Sequence, residues 1–286
     1  MSANGHTTSF PPTMQPKPDD RSGNPTPARR PLLITTAGRG NVGSTSFLTT
    51  TAQFYRERGA SFRLWDASQY SSSVGLPAYH PDVERPGSSD QDVITPWLGH
   101  QVRDQQEKGY DAILDLAARP YQMAQHALLS SLLPASNDEG VRLVTVHVLG
   151  PLKSDLLMLD TAQREGWWDP RSSVIVLNAG LVQAGCTFRK AFEEVVASAN
   201  VQRAIQEGVP ILYMPALRCW RDLDWKHLHY SAVAWGETPE TGGAVSFIDK
   251  AEVVLWWGIE VPQFMGQMPP HLMPLIPPRS APVSGK

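Results

Sequence analysis

The sequence predicts a doubly wound α/β fold, with a mostly parallel sheet and helices on both faces, on three observations. Short apolar runs such as Leu32-Leu33-Ile34, Ala112-Ile113-Leu114 and Val174-Ile175-Val176-Leu177 are separated by segments of helical character, often ten residues or longer. Strands and helices in that alternation read as βαβ units and a sheet covered on both sides. The chain of 286 residues, 41% of them hydrophobic, is also long enough to bury the core that such a sheet needs.

Leu32 to Thr36 is the first expected strand, followed by a glycine-rich turn and a helix from Thr45 to about Arg58. Phe62 to Trp65 forms the second strand and ends at Asp66, and a polar helix runs from about Asp92 to Lys108. The third strand, Ala112 to Leu114, is bracketed by Asp111 and Asp115, with a helix over Tyr121 to Leu133 behind it. Val141 to Val148 and Val174 to Leu177 are strands four and five. A helix from Phe188 to Glu207 leads to strand six, Pro210 to Met214, and helical stretches near Arg221 to Tyr230 and Val245 to Gly258 close the core.

Both ends differ from this middle. Residues 1–30 are rich in Pro, Ser, Thr, Asn and Gly, and such a stretch cannot bury enough surface to offset its conformational entropy; it is expected to be a disordered tail. From Pro262 the chain is rich in Pro and Met and is expected to leave the helix, so that 31–260 is the domain and 261–286 a second tail. Arg29-Arg30 lacks the apolar run that a twin-arginine export signal requires. No apolar run of membrane-spanning length is present, so membrane insertion is not expected. Two cysteines exclude a disulfide scaffold and suit the cytoplasm, and a formal charge of -3 gives no global attraction to nucleic acid.

In open α/β sheets ligands bind beyond the carboxyl ends of the strands. The loop there after strand one reads Ala37-Gly38-Arg39-Gly40-Asn41-Val42-Gly43-Ser44-Thr45-Ser46. Its glycines permit positive φ and close backbone approach, and its end enters a helix whose amides favour an anion. Thr45 stands where a magnesium ligand would sit.

This loop resembles the deviant Walker A motif of the ParA/MinD superfamily of P-loop ATPases, and its Gly-Asn-Val-Gly stretch is similar to StbB-type plasmid stability and conjugation proteins. Laid on the family's Lys-Gly-Gly-Val-Gly-Lys-Thr/Ser-Thr/Ser, Arg39 falls at the signature lysine, Asn41 at the second glycine and Ser44 at the invariant phosphate-binding lysine. Trp65-Asp66-Ala67-Ser68-Gln69, with Val74-Gly75-Leu76 beyond it, is similar to the family's segment whose aspartate contacts the attacking water. Tyr110 to Ala117 resembles the Walker B strand, which puts Asp115 behind magnesium. Asn178 matches the asparagine set against the base, and Gly208 to Pro215 the late strand and proline before the base loop. The resemblance covers roughly 31–258.

It implies ATP and Mg2+ as cofactors. Gly38, Arg39, Gly40, Asn41, Val42, Gly43, Ser44, Thr45, Ser46, Asn178 and Pro215 would bind nucleotide; Asp66 and Arg39 would serve catalysis; Thr45 and Asp115 would hold the metal. It also implies a homodimer, a protein partner and nucleic-acid contact through the dimer. A neutral serine in place of the lysine weakens stabilisation of the phosphates, and Arg39 reaching across a dimer is the expected substitute. Two outcomes follow: a nucleotide-dependent dimeric switch with slow or lost hydrolysis in plasmid or chromosome partition, conjugation or positioning, or a catalytically dead scaffold that binds a larger assembly through its tails and Trp-rich C-terminal helix. A ligase related to dethiobiotin synthetase would need a lysine in the loop.

Other clusters carry less. His227 and His229 with Asp222, Asp224 and Cys219 fit no strong zinc spacing and read as surface or capping residues. Trp167-Trp168 and Trp256-Trp257 lack basic neighbours and read as packing residues. The last helix has too few basic residues for membrane attachment, and no Gly-x-Ser-x-Gly elbow exposes Ser44, Ser46 or another serine to His80.

Overall fold

The structure, a computed structural model, describes residues 29–68, 75–116, 129–132, 134, 136–220, 223, 228–236 and 245–278. Gln69, Val74, Asp222, Asp224, His227 and most of the tail at 1–30 lie outside the described residues, as do 279–286. Of the helix expected over 121–133, residues 129–132 are described and are helical.

The expected sheet is present. Its strands are β1 (Leu32–Ala37), β2 (Phe62–Asp66), β3 (Asp111–Asp115), β4 (Arg142–Leu149), β5 (Ser173–Asn178) and β6 (Ile211–Met214), in the order β2-β3-β1-β4-β5-β6. Every pairing is parallel. The longer helices are α1 (Ser44–Arg56), α2 (Gln91–Lys108), α3 (Leu157–Glu165), α4 (Ala199–Gln206) and α5 (Phe247–Leu255). Because side chains alternate along a strand, β1 sends Leu32 and Ile34 to one face, against Phe47 and Leu48 of α1, and Leu33 to the other, against Leu98 and Val102 of α2. On β5, Val174 and Val176 join the α1 face, while Ile175 and Leu177 pack with Val201 and Ala204 of α4. Both faces are apolar, as the doubly wound class requires. The order turns back at β1, whose neighbours are β3 and β4, so the crevice opens at the carboxyl end of β1.

Two elements depart from expectation. The helix predicted over 188–207 is broken into Phe188–Ala191, Glu193–Val196 and α4. Ser198 explains the last break: its hydroxyl accepts from Val201 N, an N-cap that restarts the helix. The second departure is at the carboxyl end, where the helix does not stop before Pro262. After α5 the chain makes a π turn, Trp256–Glu260, and continues as Val261–Met265. Pro262 falls directly after that wider turn and does not end the helix. The Pro/Met-rich run is therefore not a loose tail up to 278: Phe264, Met265, Met268, Leu272 and Met273 are buried in the α1-side core. Arg29 fastens the two ends together, donating to Asp111 Oδ2 at 2.9 Å and to Met273 O at 2.8 Å.

Candidate functional site

The loop between β1 and α1 is curled. Gly43 has φ 95 and Asn41 φ 68, the one positive φ at a residue other than glycine among the described residues. Asparagine tolerates this left-handed conformation better than most side chains, so Asn41 can stand there without flattening the loop. Two contacts leave no space for side chains. A Cβ at Gly38 would meet Val148 O at 2.8 Å, and one at Gly43 would run into Asn178 Nδ2. The start of α1 has no side-chain cap and no acidic residue in its first turn, so its free amides face the crevice.

A cavity of about 570 Å3 opens beside this loop. Its lining includes Gly40, Asn41, Gly43, Ser44, Thr45 and Ser46 of the loop with Asp115 and Asn178, and an aromatic and apolar part made of Tyr79, Leu217, Trp220, Tyr230 and Trp256. Thr45 and Asp115, 70 residues apart, meet here: Thr45 Oγ1 donates to Asp115 Oδ2 at 2.8 Å. Ser44, at the family's lysine position, is buried, and its Oγ has no hydrogen-bond partner among the described residues; the same holds for Thr50 Oγ1, nearly two turns further along α1. Buried hydroxyls without partners are costly, and both of these residues line the cavity.

Three of the expected site residues are engaged elsewhere in the single chain. Arg39 is absent from the cavity lining: its Nε lies 2.6 Å from Asp155 Oδ1, and Asp155 is buried and needs that charge. Asp66 also turns away. Its Oδ1 accepts from Ser68 N at 2.8 Å, and Arg85 Nε stands 3.0 Å from Oδ2 as an ion pair, although Oδ2 receives no directed hydrogen bond. Burial pushes the Asp66 carboxyl up to about 6, with Asp115 nearby adding to the rise while Ser68 and Arg85 oppose it. Asn178 lines the cavity, but its amide is spent on the loop. Nδ2 donates to Val42 O at 2.8 Å and Oδ1 accepts from Gly180 N at 2.9 Å, which makes it a latch rather than a reader of a base. Gly38 and Val42 support the loop from behind, whereas Pro215 lines the cavity and its carbonyl accepts from Trp256 Nε1 at 3.1 Å.

Sequence reasoning missed the aromatic wall. Tyr79 and Tyr230 stack with centroids 6.4 Å apart, and Tyr230 meets Trp256 edge-on at 5.0 Å, across more than 150 residues of chain that no local pattern connects. His229 packs against His80 and Tyr79, and among the described residues no group of three or more metal-ligating side chains forms. Trp167, Trp256 and Trp257 are buried, as packing residues should be. No helix among the described residues is long and apolar enough to cross a membrane.

The loop fits a phosphate–magnesium group in shape and in its oxygen donors. A cradle that any Cβ would fill, orphaned hydroxyls, and the hard oxygens of Thr45 and Asp115 are what such a group uses. Charge is the departure. Among the described lining residues none is a lysine or arginine, and Asp115 is the one carboxylate.

No protein-family profile and no curated protein matches the chain. Solved structures similar to it include the signal recognition particle receptor FtsY from Elizabethkingia anophelis in complex with GDP, at 14% identity and TM-score 0.42, covering 67% of this chain and 58% of that one. The cell division protein FtsY from Thermotoga maritima is 14% identical with TM-score 0.40, covering 65% and 62%. The 54 kDa signal recognition particle protein from Aeropyrum pernix, in complex with GDP, is 14% identical with TM-score 0.41, covering 85% and 50%. The chain thus spans less than two thirds of each of these structures. The assignment to a P-loop NTPase-like α/β class stands on the strand order and the curled loop between β1 and α1, not on these likenesses.

Proposed function

We propose that the chain is a ParA/MinD-like P-loop protein that binds a magnesium nucleotide as a switch and hydrolyses it slowly or not at all. The observation that carries this reading is the hydrogen bond of Thr45 to Asp115 at the mouth of a loop whose lysine position holds the unpartnered Ser44. Thr45 and Asp115 would hold the metal, and the loop amides with Ser44 would hold the phosphates. A bound magnesium ion would supply the positive charge that the described lining lacks.

Weak hydrolysis is supported by the two side chains expected to drive it. Arg39 would have to leave the buried Asp155 to reach a phosphate in a second copy, and Asp66 would have to leave Ser68 and Arg85 to orient a water. The cellular role that goes with this reading is partition of plasmids or chromosomes, conjugation or positioning in the cytoplasm. It would act as a homodimer, with a protein partner and with nucleic-acid contact through the dimer. The scaffold alternative, catalytically dead and without a nucleotide, is favoured by one observation: a described lining without a cation, in which Tyr79, Trp220, Tyr230 and Trp256 are aromatic.

Calorimetric titration and thermal shift with Mg-ATP, Mg-GTP and the diphosphates separate the two, and GTP belongs in the series because two of the similar structures hold GDP. The switch binds a nucleotide in a magnesium-dependent way, loses that dependence in Thr45→Ala and Asp115→Asn, and releases phosphate slowly or not at all. Absence of any nucleotide effect on a folded wild-type chain at millimolar ligand removes the reading and leaves the scaffold.

A further inference from the structure

The cavity beside the glycine-rich loop extends along α1, and its chemistry changes on the way. At the loop it offers Ser44 and the pair of Thr45 with Asp115; further along α1 its lining includes Thr49 and Thr50. At 1.5 Å per residue Thr50 stands about 9 Å beyond Ser44 along the helix axis. A phosphate and a ribose span a separation of that order in a nucleotide.

Three aromatic rings gather where Thr50 is. Tyr230 N donates to Gln53 Oε1 at 3.0 Å, and Gln53 lies three residues after Thr50, on the same face of α1. Tyr79 stacks on Tyr230, and Trp256 meets it edge-on. These three are packed on one another and only 3% to 6% exposed. Trp220, in the segment after β6, lines the same cavity and is 40% exposed, so part of its indole is open to a ligand.

Thr50 itself is 1% exposed, lines the cavity, and its Oγ1 has no hydrogen-bond partner among the described residues. Buried hydroxyls are nearly always paired, so one that faces a cavity unpaired points to a polar group of the ligand. The side chains that would choose between bases are engaged elsewhere. Asparagine reads adenine through N6 and N7, and a carboxylate can accept from the amino group of guanine. Asn178 is spent on Val42 O and Gly180 N, and Asp115, the one carboxylate of the described lining, takes Thr45.

Given the nucleotide reading above, on which this rests, we propose that the aromatic end of the cavity holds the base by stacking. Thr50 is its hydrogen-bonding partner, and the site takes adenine and guanine nucleotides alike. A hydroxyl both donates and accepts. It can receive a hydrogen from N6 of adenine or give its own to O6 of guanine, so neither purine leaves a buried group unpaired. Stacking does not choose between them either, because each presents a π face. The site therefore selects for the size of the ring and not for the pattern along its edge.

Calorimetry of the full chain in excess magnesium with ATP, GTP, UTP and ribose 5-triphosphate tests this. ATP and GTP should bind within about threefold of each other, and UTP, with one ring to stack, more weakly. Ribose 5-triphosphate, which has no base, should bind at least about fivefold more weakly than ATP. Thr50→Val keeps the shape and removes the hydroxyl; it should weaken both purine nucleotides by the same factor, about two- to tenfold. Trp220→Ala should weaken both by about fivefold or more, with Trp220→Phe restoring most of the loss. Neither variant should change the binding of ribose 5-triphosphate, a result that damage to the loop would not give. A tenfold preference of the wild type for one purine, or a Thr50→Val effect confined to one purine, overturns the proposal. Ribose 5-triphosphate bound as tightly as ATP also overturns it and leaves the switch standing, whereas a chain that binds none of the four ligands overturns both.

Discussion

Ser44→Lys restores to the loop the one group that the nucleotide reading finds missing. The side chain at 44 already lines the cavity, and its hydroxyl makes no hydrogen bond among the described residues, so the replacement breaks nothing observed. A hydrogen bond to a charged group contributes about 1.5–3 kcal/mol, and a factor of ten in affinity corresponds to about 1.4 kcal/mol. In the empty site the new ammonium will pair in part with the buried Asp115, and giving up that contact offsets about 1 kcal/mol of this. The expected net gain is therefore about three- to thirtyfold in affinity for the magnesium triphosphate. Calorimetry read against the matching nucleoside supplies the control, because the nucleoside has no phosphate and should gain nothing. The gain should also shrink as salt rises, since it is a charge effect in an open crevice. A folded Ser44→Lys variant with an unchanged melting temperature and equal, unimproved binding of triphosphate and nucleoside would refute the idea that this loop cradles phosphate.

Gly43→Ala should destabilise the protein by about 2–3 kcal/mol, because φ 95 strains any L-residue and the new Cβ meets Asn178 Nδ2. In denaturant unfolding the double variant Gly43→Ala/Asn178→Ala should lose less than the sum of the singles, since the second change removes the obstacle; strict additivity would mean that Asn178 is not the latch. Asp66 makes a pH-dependent prediction: its carboxyl is raised to about 6 in the fold, so its ionisation lowers stability as pH rises from the unfolded value of about 4 through 6. Asp66→Asn should therefore raise stability above pH 6, by up to about 3 kcal/mol and with a higher melting temperature, and lose that advantage below pH 4. The comparison must be made against wild type at each pH, because the buried His80, lowered to about 4, gives the opposite slope. A gain that is independent of pH would show that Asp66 does not titrate as its burial implies.

The framework was legible because it follows from local rules. Apolar runs marked all six strands, and Gly38, Gly40 and Gly43 marked the curled turn before α1. The pairing of Thr45 with Asp115 followed from a motif that fixes which strand end faces which helix start. Roles that depend on where a long side chain swings were not legible. Arg39 has a charge and a reach, but nothing in the sequence says that Asp155 would be buried next to it and claim that charge. Arg85 does the same to Asp66. The segment after Pro262 was misread for a related reason: composition counts prolines, whereas what fixes 261–273 is that Phe264, Met265, Met268, Leu272 and Met273 each find the core, with Arg29 tying Met273 O to Asp111.

These contacts also explain how such a loop can keep its shape without its lysine. In the structure the curl is held from inside, by Asn178 on Val42 O, by the closeness of Gly38 to Val148 O, and by Thr45 on Asp115, none of which needs a ligand or a positive charge. The fold therefore does not need a lysine at position 44; a charge there would serve only a bound phosphate. Arg39 is the reverse case, a residue that looks catalytic by position and is structural by contact. Removing it leaves Asp155 buried and unpaired, a loss that costs about 3–5 kcal/mol in comparable ion pairs. A weaker nucleotide response in Arg39→Ala would thus report a damaged loop after β4 before it reported a missing phosphate ligand. Pairing the change with Asp155→Asn separates the two, because it removes the orphaned charge and leaves only the question of whether a second copy ever receives that guanidinium.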